Sequence, residues 1–301
     1  MDQPLIDRRF YGFHPACLFV LFVLIPSITP ANAQATTCTR PCLQHMVTVY
    51  VDALVAHDPS QLPLASDVRF TEDSRELKLG EGLWKSVTAK SHFRQDYVDT
   101  RKQIVAAHVE LFEGNTPVLF AMVLRVANRK IAGIETIVYR VPSDPKSKPD
   151  HLDKPLPVMN EPVPPAKRMP RAEMVKTALR YTEGLRIGSF AQAGTPFAPE
   201  TYRLENGIKT AGQGCTTSTF CGPKTQKIML HPDIKPSVAV VDEQAGIVLL
   251  WMNFGDTHSY GPGRALVTLE AFKIFDGSIH AINAFFGFLP KETERNWPSA
   301  E

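Results

Sequence analysis

The side chains of this 301-residue chain whose types and spacing suit chemistry recur in two places. Glu72 stands in the block 65–74 (ASDVRFTEDS), and Glu205 holds the same place in the block 198–207 (APETYRLENG). Each block follows an amphipathic stretch of helical period that carries a tyrosine, Tyr50 in one and Tyr181 in the other. A carboxylate shielded from water has a raised pKa and can take and return a proton near neutral pH. A buried tyrosine hydroxyl can donate a hydrogen bond to an oxygen on which charge develops. Glu270 adds a third acid. Strand alternation places it with Phe272 and Ile274, on the apolar side of its run, so its carboxyl is expected to point inward. A second cluster, Asp256, His258 and Tyr260, precedes the turn Gly261-Pro262-Gly263. A histidine beside an aspartate can act as a base, although a loop tip is also an ordinary place for solvated polar residues. His108 lies inside a strand run and reads as a core histidine.

The elements that must position these groups come in two matching sets. Residues 38–58 read as a helix, with Leu43, Met46, Val47, Tyr50, Leu54 and Val55 on one stripe. Asp58-Pro59 ends it. Strands are expected at 67–72, 76–80, 103–112, 117–127 and 131–140, with turns at Glu113-Gly114-Asn115 and Asn128-Arg129-Lys130. Residues 85–95 give no clear signal. The second set starts with a helix at 171–187, with Met174, Ala178, Tyr181 and Leu185 on one face. A hairpin follows at Asn206-Gly207, then a polar loop at 211–227, then strands at 236–242, 246–254, 263–275 and 279–288. The closing strand pairs superpose without a gap: 123–126 and 131–134 fall on 271–274 and 279–282. Helix first, then long antiparallel strands, indicates an α+β fold made twice. The domains are expected at 34–141 and 171–301. Nine prolines in the twenty-nine positions 142–170 mark a linker, expected to be extended and semi-rigid, and either a passive connector, which is the favoured reading, or a segment lying against both domains.

Residues 1–33 read as a signal peptide, with Arg8 and Arg9, an apolar core from Cys17 to Ile28, and the small-x-small site Ala31-Asn32-Ala33. The core is short for a spanning helix, and Pro26 and Pro30 interrupt it. The remainder is therefore expected to be secreted or periplasmic, with no membrane contact after cleavage. Four cysteines then remain, Cys38, Cys42, Cys215 and Cys221, and an even count in an oxidising compartment reads as two disulfides. Three pairings are possible, and the local ones, Cys38–Cys42 and Cys215–Cys221, are the simplest. Their spacings are not those of a metal finger, and no metal is expected. Charge is almost balanced, at a formal net +2, and basic residues are dispersed, which argues against a nucleic-acid surface. No Gly-rich phosphate loop, G-x-S-x-G elbow or Cys–His nucleophile pattern occurs, so no cofactor is expected.

The order of elements resembles the nuclear-transport-factor-2-like superfamily, also called SnoaL-like or ketosteroid-isomerase-like. The stretch 50–58 (YVDALVAHD) with 69–72 (RFTE), 80–84 (GEGLW) and 270–274 (EAFKI) is similar to a family of secreted proteins with this domain doubled. The resemblance implies two tandem cone-shaped domains, each an N-terminal helix packed in a curved antiparallel sheet around an apolar pocket. It also implies roles. Ketosteroid isomerases use a helix tyrosine as an oxyanion donor, a carboxylate ending the first strand as the base, and a protonated acid on a late strand as the second donor. Tyr181, Glu205 and Glu270 fall at those places in the second domain; in the first, Tyr50 and Glu72 do, but the late-strand position is Met122. The base in that enzyme is an aspartate, and glutamate departs from it. Histidines serve in scytalone-dehydratase-like members, which brings His258 in as a further candidate. The expected function is a cofactor-independent lyase (dehydratase) or isomerase acting on a small hydrophobic steroid, polyketide or terpenoid. The alternative is a non-catalytic binding or structural protein. A monomer is expected, with its domain pair standing in for a homodimer.

Overall fold

The computed structural model describes residues 12, 37–154, 156–215 and 221–301. Apart from Gly12, the stretch 1–33 expected to be a signal peptide, Cys17 included, lies outside the described residues. Thr36–Glu301 forms one compact unit and carries an α+β fold with two similar domains.

In the first domain, helix α1 (Arg40–Val55) is followed by β1 (Leu64–Glu72), β2 (Arg75–Glu76), β3 (Ala89–Asp99), β4 (Ile104–Glu113), β5 (Thr116–Ala127) and β6 (Lys130–Arg140). A one-turn helix, α2 (Pro157–Asn160), lies in the linker. The second domain has α3 (Arg171–Ile187), β7 (Phe197–Glu205), β8 (Ile208–Ala211), β9 (Lys235–Asp242), β10 (Ile247–Asn253), β11 (Arg264–Phe275) and β12 (Ser278–Pro290). The two sheets have the same strand order, β2-β1-β6-β5-β4-β3 and β8-β7-β12-β11-β10-β9. Neither is wholly antiparallel: β1 runs parallel to β6, and β7 to β12. No hairpin joins the strands of these pairs, so no turn dictates their relative direction.

Helix α3 ends where Gly188 takes a left-handed conformation, φ 73°, which spares it the clash a Cβ would bring. Helix α1 buries the predicted stripe, Leu43, Met46, Val47, Tyr50 and Leu54. The central strands are apolar on both faces, because each face has a partner. Val105, Ala107, Val109 and Leu111 of β4 join the cluster that contains α1. Their neighbours Ile104 and Ala106, with Leu119, Ala121 and Val123 of β5, join the cluster that contains the second domain. Alternation along a strand thus sorts side chains into two cores.

Ion pairs clasp the domains reciprocally. Arg171, opening α3, binds Asp99 at the end of β3 at 2.6 Å, and Asp99 also accepts the Val241 N–H (3.3 Å). Arg40, opening α1, binds Asp242 at the end of β9, and Asp242 accepts the Val98 N–H (2.9 Å). Strand β3, silent in the sequence, belongs to this interface. Its polar Gln95 and Asp99 are buried because the linker, α3 and β9 supply partners.

Of the two readings of the linker, the packed one holds, and the favoured passive connector does not. Leu152, Leu156, Met159 and Val163 are buried. Leu156 N–H donates to Gln95 (3.1 Å), Val163 N–H to Gln244 O (3.0 Å), and Lys273 Nζ to Glu161 O (2.5 Å). Prolines free the segment from ladder bonding, and apolar residues between them fill the seam.

The chain after β12 folds back as a strap over the first domain. Arg295 forms a double hydrogen bond with Glu135, both at 2.8 Å. The Trp297 indole lies between the Arg69 and Arg125 guanidiniums, each 4.6 Å from its centroid, and donates to Thr71 Oγ1 (2.8 Å). The cysteines pair locally, Cys38 with Cys42 and Cys215 with Cys221.

Candidate active site

In the second domain, α3 supplies Tyr181, β7 supplies Arg203 and Glu205, and β11 supplies Glu270. Arg203 and Glu205 are two apart on one strand and so share a face. The Tyr181 ring is wedged among Phe190 (centroids 4.7 Å apart), Phe272 (5.0 Å) and Phe197 (6.3 Å). Its buried hydroxyl receives a hydrogen bond from Arg203 Nη1 at 3.1 Å. Arg203 also donates through Nε to Thr210 Oγ1 (2.9 Å) and through Nη2 to Gln226 Oε1 (2.9 Å), and lies 3.2 Å from Glu205 Oε1. A buried guanidinium thus has its donors directed and its charge paired, which is the condition for burying it at all.

Glu270 is 2% exposed, and its Oε1 is buried without a hydrogen-bond partner. Burial pushes its pKa up to about 8, helped by the negative charge of Glu205 and opposed by Arg203 and by hydrogen bonding to Tyr181. Glu270 is therefore mostly protonated at pH 7. One cation, Arg203, then balances one anion, Glu205, and the cluster is neutral overall. Burial raises the Tyr181 pKa well above the ordinary tyrosine value, against the pull of Arg203, so it stays a neutral hydroxyl. For Arg203, burial disfavours the charge, but Glu205, Tyr181 and Glu270 outweigh it and raise its pKa. Tyr260 stands near the same charges. Burial and then Glu205 push its pKa up to about 12, and its ring stacks on His231 and Phe288.

The expected trio is thus brought into one cluster, with Glu205 on its outer side, its side chain 31% exposed. The addition is Arg203, which sequence reasoning missed. A signal was present, since in the aligned repeats Arg203 stands where the first domain has Phe70. His258 is not drawn in. Its side chain is 87% exposed, and its contacts are to Asp256, which also binds Lys291 at 2.8 Å. Of that second cluster, Tyr260 stands near Glu205. None of the four described cavities is lined by Tyr181, Glu205 or Glu270; the two largest, about 880 and 640 Å³, lie along α3 and between Tyr139 and Phe288.

The matching place in the first domain is filled. The turn Gly82–Lys85 carries Leu83 and Trp84 into the core. Leu83 N–H donates to Glu72 Oε2 (2.9 Å), and Trp84 Nε1 donates to the Tyr50 hydroxyl (3.2 Å). Gly82 permits this: a Cβ there would lie 2.3 Å from a Glu72 carboxylate oxygen. Met122 and Phe70 replace Glu270 and Arg203, and Glu72 remains as the buried acid there, its pKa raised by burial against the hydrogen bond from Leu83 N–H. His108 sits in the interdomain core. Its Nε2 lies 3.0 Å from Leu269 O, Tyr97 and Asn283 hydrogen-bond its Nδ1, and burial lowers its pKa to about 3. Among the described residues no group of three or more His, Cys, Asp or Glu is placed to hold a metal ion.

A family model described as a domain of unknown function (DUF8021) matches residues 167–286, which is the second domain and its cluster. Comparison with the curated proteins gives no match. Among solved structures, the chain is similar to a de novo designed protein with a curved β-sheet, at 24% identity and TM-score 0.29, over 37% of this chain and 92% of that one. It is also similar to a structure described as "putative ketosteroid isomerase from Kribbella flavida DSM 17836", at 15% identity and TM-score 0.26, over 35% of this chain and 83% of that one.

Proposed function

We propose that the second domain is a cone-shaped, nuclear-transport-factor-2-like acid–base site of an exported protein. It enolises a small hydrophobic carbonyl compound, such as a steroid, polyketide or terpenoid, in an isomerase or dehydratase reaction. The observation that carries the reading is the buried, unpartnered Oε1 of a protonated Glu270, in a cluster with Tyr181 and Arg203. A neutral carboxyl and a neutral hydroxyl can both donate to a carbonyl oxygen as it becomes an enolate, without first giving up charge. Arg203 adds a fixed positive potential. Glu205, the outermost carboxylate, is the base that takes the α-proton and returns it elsewhere, or lets a β-hydroxyl leave as water. The first domain, its equivalent place filled by Leu83 and Trp84, is a structural copy.

The test is proton exchange. A panel of steroid enones and β-hydroxy ketones is incubated in D2O with wild type and with Glu205→Gln, and α-proton loss is followed by NMR. Exchange with wild type that disappears in the variant supports the reading. No exchange with any carbonyl compound sinks it. The Arg203–Glu205 ion pair favours one rival, a non-catalytic binding site in which that carboxylate serves only to neutralise the arginine. Saturable binding of panel members without exchange is the result that rival predicts.

A further inference from the structure

Three large apolar side chains stand exposed among the described residues, Ile187 (40%), Met229 (44%) and Leu230 (53%). They lie together. Ile187 closes α3, and Leu230 rests on the adjoining Gly188, where a Cβ would be 3.5 Å from Leu230 Cδ1. His231 N–H donates to Leu185 O at 2.9 Å and ties the segment 222–231 to the end of the helix. The same segment carries exposed Lys224 and Lys227, which form no ion pair with a described residue. The neighbouring cations differ: Arg186 is paired with Glu183, and Lys235 with Glu294. Inward, the segment reaches the site, since Gln226 accepts from Arg203 and donates to Thr210 O (2.8 Å).

One loop therefore shows aliphatic and unpaired cationic groups to the outside and touches the buried guanidinium on the inside. Three side chains are too few for the roughly 1,000 Å² that a stable protein interface needs. They also lack the tryptophan, tyrosine and arginine anchors that dominate such interfaces. Aliphatic side chains beside free lysines match the boundary between acyl chains and anionic headgroups. No described helix is long and apolar enough to cross a membrane.

We propose that the segment 222–231 and the last turn of α3 dock this chain on a lipid bilayer that carries anionic headgroups. Ile187, Met229 and Leu230 enter the acyl boundary, and Lys224 and Lys227 lie at the headgroups. That the docked loop also admits an apolar substrate toward Arg203 rests on the function proposed above; the docking itself does not.

The test uses protein lacking residues 1–33, because Thr36–Glu301 is compact by itself and an apolar leader would bind vesicles on its own. Flotation is measured with phosphatidylcholine vesicles, with and without about one-third phosphatidylglycerol, and without substrate. The expected result is binding that rises with the anionic lipid. Met229→Ser with Leu230→Ser lowers the partition coefficient roughly tenfold or more, and Lys224→Gln with Lys227→Gln removes the dependence on anionic lipid. Near-UV circular dichroism checks that each variant is folded. Absence of binding to either vesicle overturns the proposal, as does binding that both double variants leave unchanged. A wild-type dimer in vesicle-free ultracentrifugation that the serine variant dissolves also overturns it, by assigning the patch to self-association. Because no substrate is present, these outcomes are independent of whether the enzymatic reading stands.

Discussion

Replacing Glu270 by glutamine should change how stability depends on pH, and the size follows from the structure. The folded carboxyl titrates at about 8 against 4.5 for the free group, chiefly because it is buried. The folded state therefore holds the proton more tightly than the unfolded chain does. This contribution is fully present below pH 4.5, is lost as pH rises, and is gone once the folded pKa near 8 has been passed. Three and a half units at about 1.4 kcal/mol each give a total near 5 kcal/mol, of which roughly 4 kcal/mol falls between pH 5 and pH 9. Glutamine keeps the shape of the protonated acid and has no proton to lose. In the difference between wild type and Glu270→Gln, other titrating groups largely cancel. Urea unfolding followed by tryptophan fluorescence at pH 5, 7 and 9 measures that difference. The variant should gain on wild type steadily, by about 4 kcal/mol across the range. A difference that stays flat to within about 1 kcal/mol would refute the reasoning, since Glu270 would then be ionised or wet in the folded state.

Catalysis by the proposed site requires the protonated form of Glu270, so turnover should fall as pH passes about 8, and a pH–rate profile reads this directly. Tyr181→Phe removes one enolate donor and should lower kcat by about 10²–10³, measured on whichever substrate the exchange panel identifies; it also leaves Arg203 Nη1 without its acceptor and should cost about 1–3 kcal/mol of stability. In the clasp, Asp99→Ala leaves the Val241 N–H without its side-chain acceptor and removes the nearer of two carboxylates on Arg171, which keeps Glu243 at 3.6 Å. It should cost about 1–3 kcal/mol, whereas Asp52→Ala, which loses only an exposed pair with Lys90, should cost under about 1 kcal/mol; parallel urea melts compare them. Trp297→Ala empties the slot between two guanidiniums and should free the strap, seen as faster hydrogen exchange at residues 291–301 with the second domain's core strands unchanged.

The elements that later strands and helices needed were legible wherever one physical signal dominated. Helix α3 was bounded at 171–187 by its apolar stripe, and the break between β11 and β12 was marked by Asp276-Gly277, a hairpin signal. Glu270 was placed inward by alternation alone. Strand β3 was not legible, because Gln95 and Asp99 are polar residues made buriable by partners remote in sequence. Those partners lie 61 and 72 positions away, where no local pattern can register them. The packing of the linker is not legible for a related reason. Proline content reports what a segment cannot bond to within itself, and says nothing of what Leu156 and Met159 pack against.

The site divides in the same way. Repeat alignment and periodicity by themselves indicated the duplicated α+β order and the inward side of Glu270, because these depend on position within a period, and the even cysteine count indicated two disulfides; Tyr181, Glu205 and Glu270 were joined as a set by the family resemblance. Tertiary structure alone decided that Arg203 stands among them, that burial keeps Glu270 protonated, that His258 stays outside, and that Leu83 and Trp84 close the first copy. These are matters of desolvation and of charges meeting across the fold. A sequence records which groups can ionise, but how readily they do so depends on how much water and which opposite charge the folded chain leaves beside them.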